Sequence, residues 1–279
     1  MGVCPHRDII TVVVFRMPYA YAVDIKNKNR EGDFFMSRFK KLAFFGAGVA
    51  FSVLIFAGIM LLKGGSGEET AETHEKVQLW EGGPYWATKN VGAEKPEDYG
   101  YYFWWGDTVG YKRENNKWVA SDGSNSNFSF LDDNTPMYNK SISTLQSEGW
   151  ITSDGVLAPS HDAANVHWGN GWRMPTKDEL TALNNNCDWT WTTLNGVKGY
   201  VVKGRGAYAS KSIFLPAAGD GCGTSLGYSG SYGYYWSSVP LSDGYDTWYL
   251  YFGSSYYATY YSLYRYYGQS VRPVLGFTK

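Results

Sequence analysis

An uncharged run of 21 residues, Leu42 to Leu62, divides the chain into two parts that must fold in different surroundings. As a helix rising about 1.5 Å per residue it reaches about 31 Å, the thickness of the hydrocarbon core of a bilayer. Arg38, Lys40 and Lys41 precede the run, whereas acidic residues follow soon after Lys63. Because basic residues favour the cytoplasmic side, we predict a transmembrane signal anchor over residues 42–62 that exports everything after it.

The segments flanking this run are short. Residues 1–41 form the predicted cytoplasmic tail, although Met36 begins a natural basic leader, and residues 1–35 would then follow from an incorrectly assigned start. Residues 63–76 form an acidic, flexible linker. A cleaved signal peptide is the alternative, but the apolar run exceeds the usual length and no small-x-small cleavage site follows it before Lys63.

The exported part is rich in aromatic residues and poor in charge. The chain has 24 Tyr, 12 Trp and 33 Gly, while 18% of its residues are charged and its formal net charge is -1. This balance gives no general attraction for nucleic acid and does not resemble a disordered chain. Turn-forming residues recur every few positions between short aromatic and β-branched runs, which is typical of short strands. We therefore predict an irregular α+β domain over residues 77–279.

Two helices are predicted within this domain. Thr176 and Glu179 have the spacing of a capping box, so a helix begins at Thr176 and buries Leu180 and Leu183. The other helix is predicted near Ser160–Val166, with its first residue as the N-cap.

Six motifs occur in a fixed order along the exported part. They are Trp86–Val91, Gly100–Gly106, Trp168–Leu180, Phe214–Gly219, Gly233–Ser238 and Gly268–Val274. In this order they resemble the Fibrobacter succinogenes major paralogous domain family, over about residues 80–276. The resemblance implies a C-type-lectin-like fold.

Large side chains within these motifs are predicted to form the scaffold. Trp172, Phe214 and Trp236 have the size of core residues. Arg173 and Arg272 would be costly to bury unpaired, so each is expected to bond backbone carbonyls or a carboxylate.

Two of the three cysteines, Cys187 and Cys222, follow the membrane segment, whereas Cys4 precedes it. An exported pair is more often a disulfide than a metal site, and two cysteines cannot complete a tetrahedral zinc site. We therefore predict a disulfide between Cys187 and Cys222.

The segment from Tyr228 to Tyr267 holds 14 of the 24 tyrosines. Within it, Trp248–Phe252 alternates as a strand does, with Tyr249 and Tyr251 on the face opposite the other three residues. Further on, no period sorts the faces, and adjacent tyrosines cannot both point inward on a strand, so several rings are expected to face solvent or a ligand. Tyr, Ser and Gly also dominate antibody paratopes. The predicted ligand-binding residues are Tyr251, Tyr256, Tyr257, Tyr260, Tyr261, Tyr264, Tyr266 and Tyr267.

The residue types in this segment suggest a further hypothesis. C-type-lectin-like proteins of diversity-generating retroelements vary at C-terminal positions whose template codons are adenine-rich Asn codons. Replacement of those adenines yields Tyr, Ser, Thr, Ala and Leu, which are the types found before Gly268–Val274. The resemblance thus implies a diversified face. A fixed Tyr-rich face and packing against another part of the chain are the alternatives.

No catalytic or metal-binding constellation is predicted. Enzymes of the formylglycine-generating type, which share the implied fold, use a C-terminal cysteine pair, and no cysteine follows Cys222. Asp122–Asn127 resembles a calcium loop only faintly, because Asn127 stands where glycine is needed and Asp133 where a bidentate glutamate is needed. We expect no enzyme activity, cofactor or metal.

The sequence therefore predicts a membrane-anchored bacterial protein of receptor or adhesin type, displayed on the cell envelope or surface. Its expected partners are an unknown protein or glycan and the membrane itself, and nucleic acid is not expected. A fixed structural component of the cell envelope is the alternative from another class, and an enzyme of the formylglycine-generating type is the third.

Overall fold

Closely spaced turns cut the chain into short elements in the computed structural model, which describes residues 74–124, 128–130, 135 and 137–276. The strands are β1 Lys76–Gln78, β2 Tyr85–Ala87, β3 Tyr102–Phe103, β4 Tyr111–Glu114, β5 Lys117–Ala120, β6 Trp172–Arg173, β7 Cys187–Leu194, β8 Val197–Gly204, β9 Ser212–Pro216, β10 Asp220–Cys222, β11 Ser225–Gly227, β12 Gly233–Pro240, β13 Asp246–Gly253, β14 Tyr256–Tyr264, β15 Gln269–Ser270 and β16 Val274–Leu275. The α-helices are α1 Ile142–Ser147, α2 Ala163–Trp168 and α3 Lys177–Asn186, and single 3-10 turns occur at Pro159–His161 and Gly206–Tyr208.

These strands form a seven-stranded sheet, β14-β13-β12-β15-β3-β4-β5, and three smaller sheets, β1-β2-β16-β6, β7-β8-β9 and β10-β11. β16 pairs with β2, with Val274 opposite Trp86, so the two ends of the described chain meet in one sheet. The long β7–β8 hairpin turns at Asn195 and Gly196, whose φ angles of 48° and 87° suit a two-residue primed turn. The result is a sheet-rich α+β fold, as predicted, with three described α-helices where two were expected.

β12 and β13 lie inside the seven-stranded sheet and are covered on both faces. Tyr235, Leu250 and Phe252 pack on one face, in the same core cluster as Leu180 and Leu183 of α3. Tyr249 and Tyr251 pack on the other face, in a second cluster. The alternation predicted for Trp248–Phe252 is confirmed. The aromatic side chains predicted for the core are each at most 4% exposed: Trp172, Phe214 and Trp236.

The helix starts follow local hydrogen bonding. Thr176 and Glu179 form the predicted capping box at α3. Asp162, and not Ser160, caps α2, and its side chain accepts bonds from the backbone N–H groups of Ala164 and Asn165. The prediction of Ser160 as the N-cap is wrong because a 3-10 turn at Pro159–His161 intervenes before the helix begins.

The predicted arginine contacts are confirmed. Arg173 donates to both carboxylate oxygens of Glu179, at 2.6 and 2.7 Å. Arg272 is 1% exposed and donates to the backbone carbonyls of Ala87 and Phe214. Arg173 also donates to the backbone carbonyl of Gly276, so both guanidinium groups tie the segment around β16 to distant parts of the chain.

The predicted disulfide between Cys187 and Cys222 is wrong, because Cys187 is a free, buried thiol. Cys187 packs beside α3 in one core cluster, whereas Cys222 belongs to the cluster on the other face of the central sheet. Burial raises the pKa of the Cys187 thiol to about 12, so it is a protonated, apolar core group at neutral pH.

The predicted membrane anchor at 42–62 lies outside the described residues, as do the tail 1–41 and the linker up to residue 73. Within the described residues, every helix is too short or too polar to cross a bilayer.

Candidate ligand-binding face

Tyrosine rings cover the face of the central sheet that carries Tyr251. Tyr234 of β12 pairs with Tyr251 of β13, and their ring centroids lie 4.8 Å apart. Tyr232 and Tyr256 also contact the Tyr251 ring, at 5.7 and 5.3 Å. We use the name tyrosine face for the side chains of Tyr228, Tyr232, Tyr234, Tyr249, Tyr251, Tyr256, Tyr264, Tyr266 and Tyr267.

Two tyrosine rings bring this face to the surface. Tyr228 follows β11 and is 45% exposed, and Tyr256 opens β14 and is 38% exposed. The Tyr256 hydroxyl donates to the Tyr251 hydroxyl at 2.6 Å, so a buried ring fixes an exposed one. Tyr228 is held similarly by an edge contact with half-buried Tyr232, at 5.4 Å. The exposed rings therefore stand on a packed base.

A second group of rings extends the face beyond β14. Tyr264 stacks on Tyr266 at 5.0 Å, and Tyr266 contacts Tyr267 at 5.2 Å. Tyr138 joins this group from another part of the chain, 5.2 Å from Tyr266. Tyr267 is 2% exposed, whereas Tyr264 and Tyr266 are half-buried. This group therefore also has a buried base and partly exposed rings.

Asp220 lies under the tyrosine face and is fully buried. Burial raises the pKa of its carboxyl to about 7. Burial also raises the pKa values of Tyr234 and Tyr267, and the negative charge of Asp220 raises both further. The face therefore offers aromatic surface and neutral hydroxyls above a carboxyl that titrates near neutral pH.

Gln269 adds a buried amide beside these rings. Its backbone pairs with Phe103, and the next residue, Ser270, pairs with Tyr235, so Gln269 shares the sheet face of Tyr234. Neither Nε2 nor Oε1 of its side chain has a hydrogen-bond partner among the described residues. The amide keeps its full capacity to bond water or a ligand.

Arg265 fixes the chain between β14 and β15. It is fully buried, and its guanidinium lies 5.1 Å from the ring centroid of Trp105. The guanidinium donates to five backbone carbonyls, those of Met137, Lys140, Leu241, Gly244 and Asp246. Burial lowers the pKa of Arg265 to about 10, so it remains charged at neutral pH. The two tyrosines that follow it are thereby held in place.

The predicted ligand-binding residues divide among several environments. Tyr256, Tyr264 and Tyr266 belong to the tyrosine face and keep some exposure. Tyr251 and Tyr267 form its buried base, so they do not present their rings to solvent. The rings of two further predicted residues, Tyr260 and Tyr261, lie outside the described part.

Tyr257 projects from the opposite side of the sheet. It pairs with Phe252 and stacks on Trp189 at a centroid distance of 4.4 Å. Adjacent tyrosines do point to opposite faces here, but an inward ring on one face does not force its neighbour into solvent. Tyr234 and Tyr235 are 4% and 0% exposed because the sheet is covered on both sides.

Sequence reasoning missed Tyr228, Tyr232, Asp220 and Gln269. Tyr228 and Tyr232 enclose a Ser-Gly-Ser turn, a paratope-like composition that could have singled them out. Asp220 and Gln269 give no local signal, because their importance comes from burial.

Within the described residues, no three His, Cys, Asp or Glu side chains are grouped to hold a metal ion. The loop that faintly resembles a calcium site lies partly outside the described chain. Comparison with protein-family models, with curated proteins and with solved structures finds no match to this chain.

Proposed function

We propose that this chain is a ligand-binding protein of receptor or adhesin type and that the tyrosine face is its binding surface. One observation carries the proposal. The exposed rings of Tyr228 and Tyr256 are attached, by ring contacts and a hydroxyl bond, to a buried layer that contains Tyr234 and Tyr251. Rings that are already ordered lose little entropy when a ligand covers them, so they bind efficiently.

The chemistry of the face favours recognition over catalysis. Tyrosine offers an apolar ring and a hydroxyl that donates and accepts hydrogen bonds, which suits a protein or glycan surface. Ser254 and Ser255 lie beside Tyr256, and Ser229 and Ser231 lie beside Tyr228, so adaptable polar groups surround the exposed rings. This is the composition of a paratope.

The proposal includes a C-type-lectin-like scaffold. Its support is the ordered set of motifs, together with short strands, few helices and the pairing of β2 with β16 that closes the described chain on itself. The motif residues Trp172, Trp236 and Arg272 are buried, as scaffold residues should be.

Display at a membrane is also part of the proposal. The uncharged run 42–62 and its basic amino-terminal flank support an anchor that holds the binding domain outside the cell. A linker over residues 63–76 would let the domain reach a partner.

The most specific version of the proposal is that a retroelement diversifies the tyrosine face. The residue types Tyr, Ser, Thr, Ala and Leu in β14 support it. Arg265 also supports it, because its buried bonds to the backbone would hold the chain in place when the exposed rings around it are changed. A reverse transcriptase gene beside a near-copy of the 3′ end that differs mainly at adenines is the expected genomic arrangement. Its absence would favour a fixed face.

Arrays of peptides and glycans probed with the full chain test the binding function. The double variant Tyr228→Ala, Tyr256→Ala should lose at least about tenfold in affinity for the probes that the unaltered chain binds. Its melting temperature should change little, because both rings are more than a third exposed.

Tyr208→Ala is the matched control, since this half-buried tyrosine lies on the turn before β9, away from the tyrosine face. It should retain full binding. Equal losses in the control and the double variant, or no loss in either, would contradict the assignment of the face.

A further inference from the structure

A second depression lies away from the tyrosine face, between β1, β2 and the start of α3. It is a groove of about 1070 Å³, in the size range of small-molecule sites. Two aromatic side chains line it, half-buried Trp80 and Tyr85, which is 40% exposed. Val239 and Leu275 add apolar wall. One side of a ligand in this groove would therefore pack against aromatic rings.

A smaller pocket of about 200 Å³ adjoins the groove. The two cavities share Val156 and Thr176 in their walls, so they form one depression, whose smaller part we call the inner pocket. At about 30 Å³ per water molecule, the inner pocket has the volume of roughly seven waters, which is comparable with one sugar ring. Hydroxyl and amide residues line it, together with the charged residues Asp162 and Arg173; the hydroxyl and amide residues are Thr152, Asn165, Thr176 and Ser238.

Ser238 is the observation that points to a ligand. Ser238 is 3% exposed and is one of the residues that line the inner pocket, and its buried Oγ has no hydrogen-bond partner among the described residues. A buried hydroxyl without a partner costs about 1–3 kcal/mol. The backbone of Ser238 makes hydrogen bonds with Pro175 and Leu157, so only the side-chain hydroxyl lacks a partner among the described residues. A ligand hydroxyl in the pocket would satisfy it.

The other two hydroxyls of the pocket each donate a hydrogen bond within the protein, so they can only accept one from a ligand. The Thr152 hydroxyl donates to the backbone carbonyl of Val156, and the Thr176 hydroxyl donates to Glu179. Each keeps a free lone pair, because a hydroxyl has one donor and two acceptor positions. Together with Ser238, these groups match a ligand that carries several hydroxyls, each able to donate and accept.

Carboxyl groups outnumber cations around the depression, with Asp154, Asp162, Asp178 and Glu179 against Lys177 and Arg173, which disfavours an anionic ligand. Glu179 is paired with Arg173, and Lys177 lies 4.9 Å over the ring of Trp248. Asp154 and Asp178 line the groove and are exposed. These carboxylates would repel a second negative charge, but they readily accept hydrogen bonds from hydroxyl groups.

We infer that this depression is a second binding site, independent of the tyrosine face, for a neutral glycan. One sugar ring occupies the inner pocket and bonds the Ser238 hydroxyl. The neighbouring sugar lies in the groove against Trp80 and Tyr85. The inference rests on the geometry of the cavities and the unpaired hydroxyl, and it holds whether or not the tyrosine face binds a protein.

Saturation-transfer NMR and titration calorimetry on the full chain test this. The probes are cellotetraose, maltotetraose and triacetylchitotriose, with trigalacturonate as the anionic comparison. At least one neutral probe should bind, with a dissociation constant in the range of about 0.1–10 mM, and trigalacturonate should not.

Ser238→Ala should weaken the bound neutral probe about tenfold, the factor that corresponds to one lost hydrogen bond. Its melting temperature should not fall, because the change removes an unpaired buried group. Ser212→Ala, an exposed serine at the start of β9, is the matched control and should bind normally.

Three results would overturn the inference. The first is no binding of any neutral probe at about 10 mM. The second is neutral binding that Ser238→Ala leaves unchanged, which would place the sugar elsewhere. The third is a preference for trigalacturonate. If Ser238→Ala fails to fold, Asp178→Asn provides the same test at the rim, where a loss of neutral binding of at least about twofold supports the site and no loss overturns it.

Discussion

Replacement of Arg265 tests how the tyrosine face is held. Its guanidinium bonds five backbone carbonyls. Those of Gly244 and Asp246 also accept bonds from backbone N–H groups. The carbonyls of Met137, Lys140 and Leu241 receive their described bonds from Arg265 alone. Arg265→Met would therefore leave three carbonyls without their donor.

A buried polar group without a partner costs about 1–3 kcal/mol, so the loss is at most about 3–9 kcal/mol, because the bonds to Lys140 and Leu241 are only partly buried. Removal of a desolvated charge offsets part of this, because burial already lowers the Arg265 pKa to about 10. The remaining loss is still comparable with the whole stability of a domain, about 5–15 kcal/mol. The stability of Arg265→Lys should lie between those of the unaltered chain and Arg265→Met, since the three donors on one lysine nitrogen cannot replace the five donors of a guanidinium.

Urea unfolding followed by tryptophan fluorescence measures both variants. Arg205→Met is the control, because the Arg205 side chain is half exposed and its pairing with Asp188 lies on the surface. We expect the order of midpoints to be the unaltered chain, then the control close behind it, then Arg265→Lys, then Arg265→Met. A midpoint for Arg265→Met that equals the control would refute the reasoning, because the carbonyls would then have other partners.

Three further predictions concern the core. Trp172→Ala should destabilise the fold by about 3–5 kcal/mol in urea unfolding, as truncation of a buried aromatic side chain does, and a curve like that of the unaltered chain would contradict its place in the core. Tyr257→Ala should lower the melting temperature without loss of ligand binding, since this ring stacks on Trp189 away from the tyrosine face; loss of binding without a change in melting would reverse that assignment. Stability should fall as pH rises from about 4 to 7, because the folded chain keeps the proton of Asp220, whose pKa is raised to about 7, after the unfolded chain has released it. Asp220→Asn should flatten this slope, by on the order of 4 kcal/mol across the window, and an unchanged pH profile would show that Asp220 is ionised in the fold.

Features that depend on a few neighbouring residues were readable from the sequence. The capping box at Thr176 and the alternation of Trp248–Phe252 are both confirmed. Arg173 and Arg272 also bond as expected, because a charged group that is withdrawn from water has few acceptable partners. The cap of α2 was misassigned because Asp162 and Ser160 are both good N-caps, and the 3-10 turn decides between them.

The faces of the tyrosines were not readable. β14 pairs with β13 through a register shift between Thr247 and Tyr249, which breaks the period of two that would sort its side chains. Tyr256 and Tyr257 lie outside this shift and alternate regularly, and the pairing of Tyr257 with Phe252 decides that its ring is the one that packs on Trp189. The predicted disulfide failed for a similar reason, because Cys187 and Cys222 lie in different core clusters.

By itself the sequence determined the fold class, the start of α3 and the surplus of tyrosine near the carboxyl end. These follow from composition, from hydrogen bonds within one helical turn and from strand periodicity, all of which act over a few residues. Only the tertiary structure decided which tyrosines are base and which are surface, and that Ser238 lies unpaired in a pocket. Burial depends on what packs from far along the chain, and no local pattern records it.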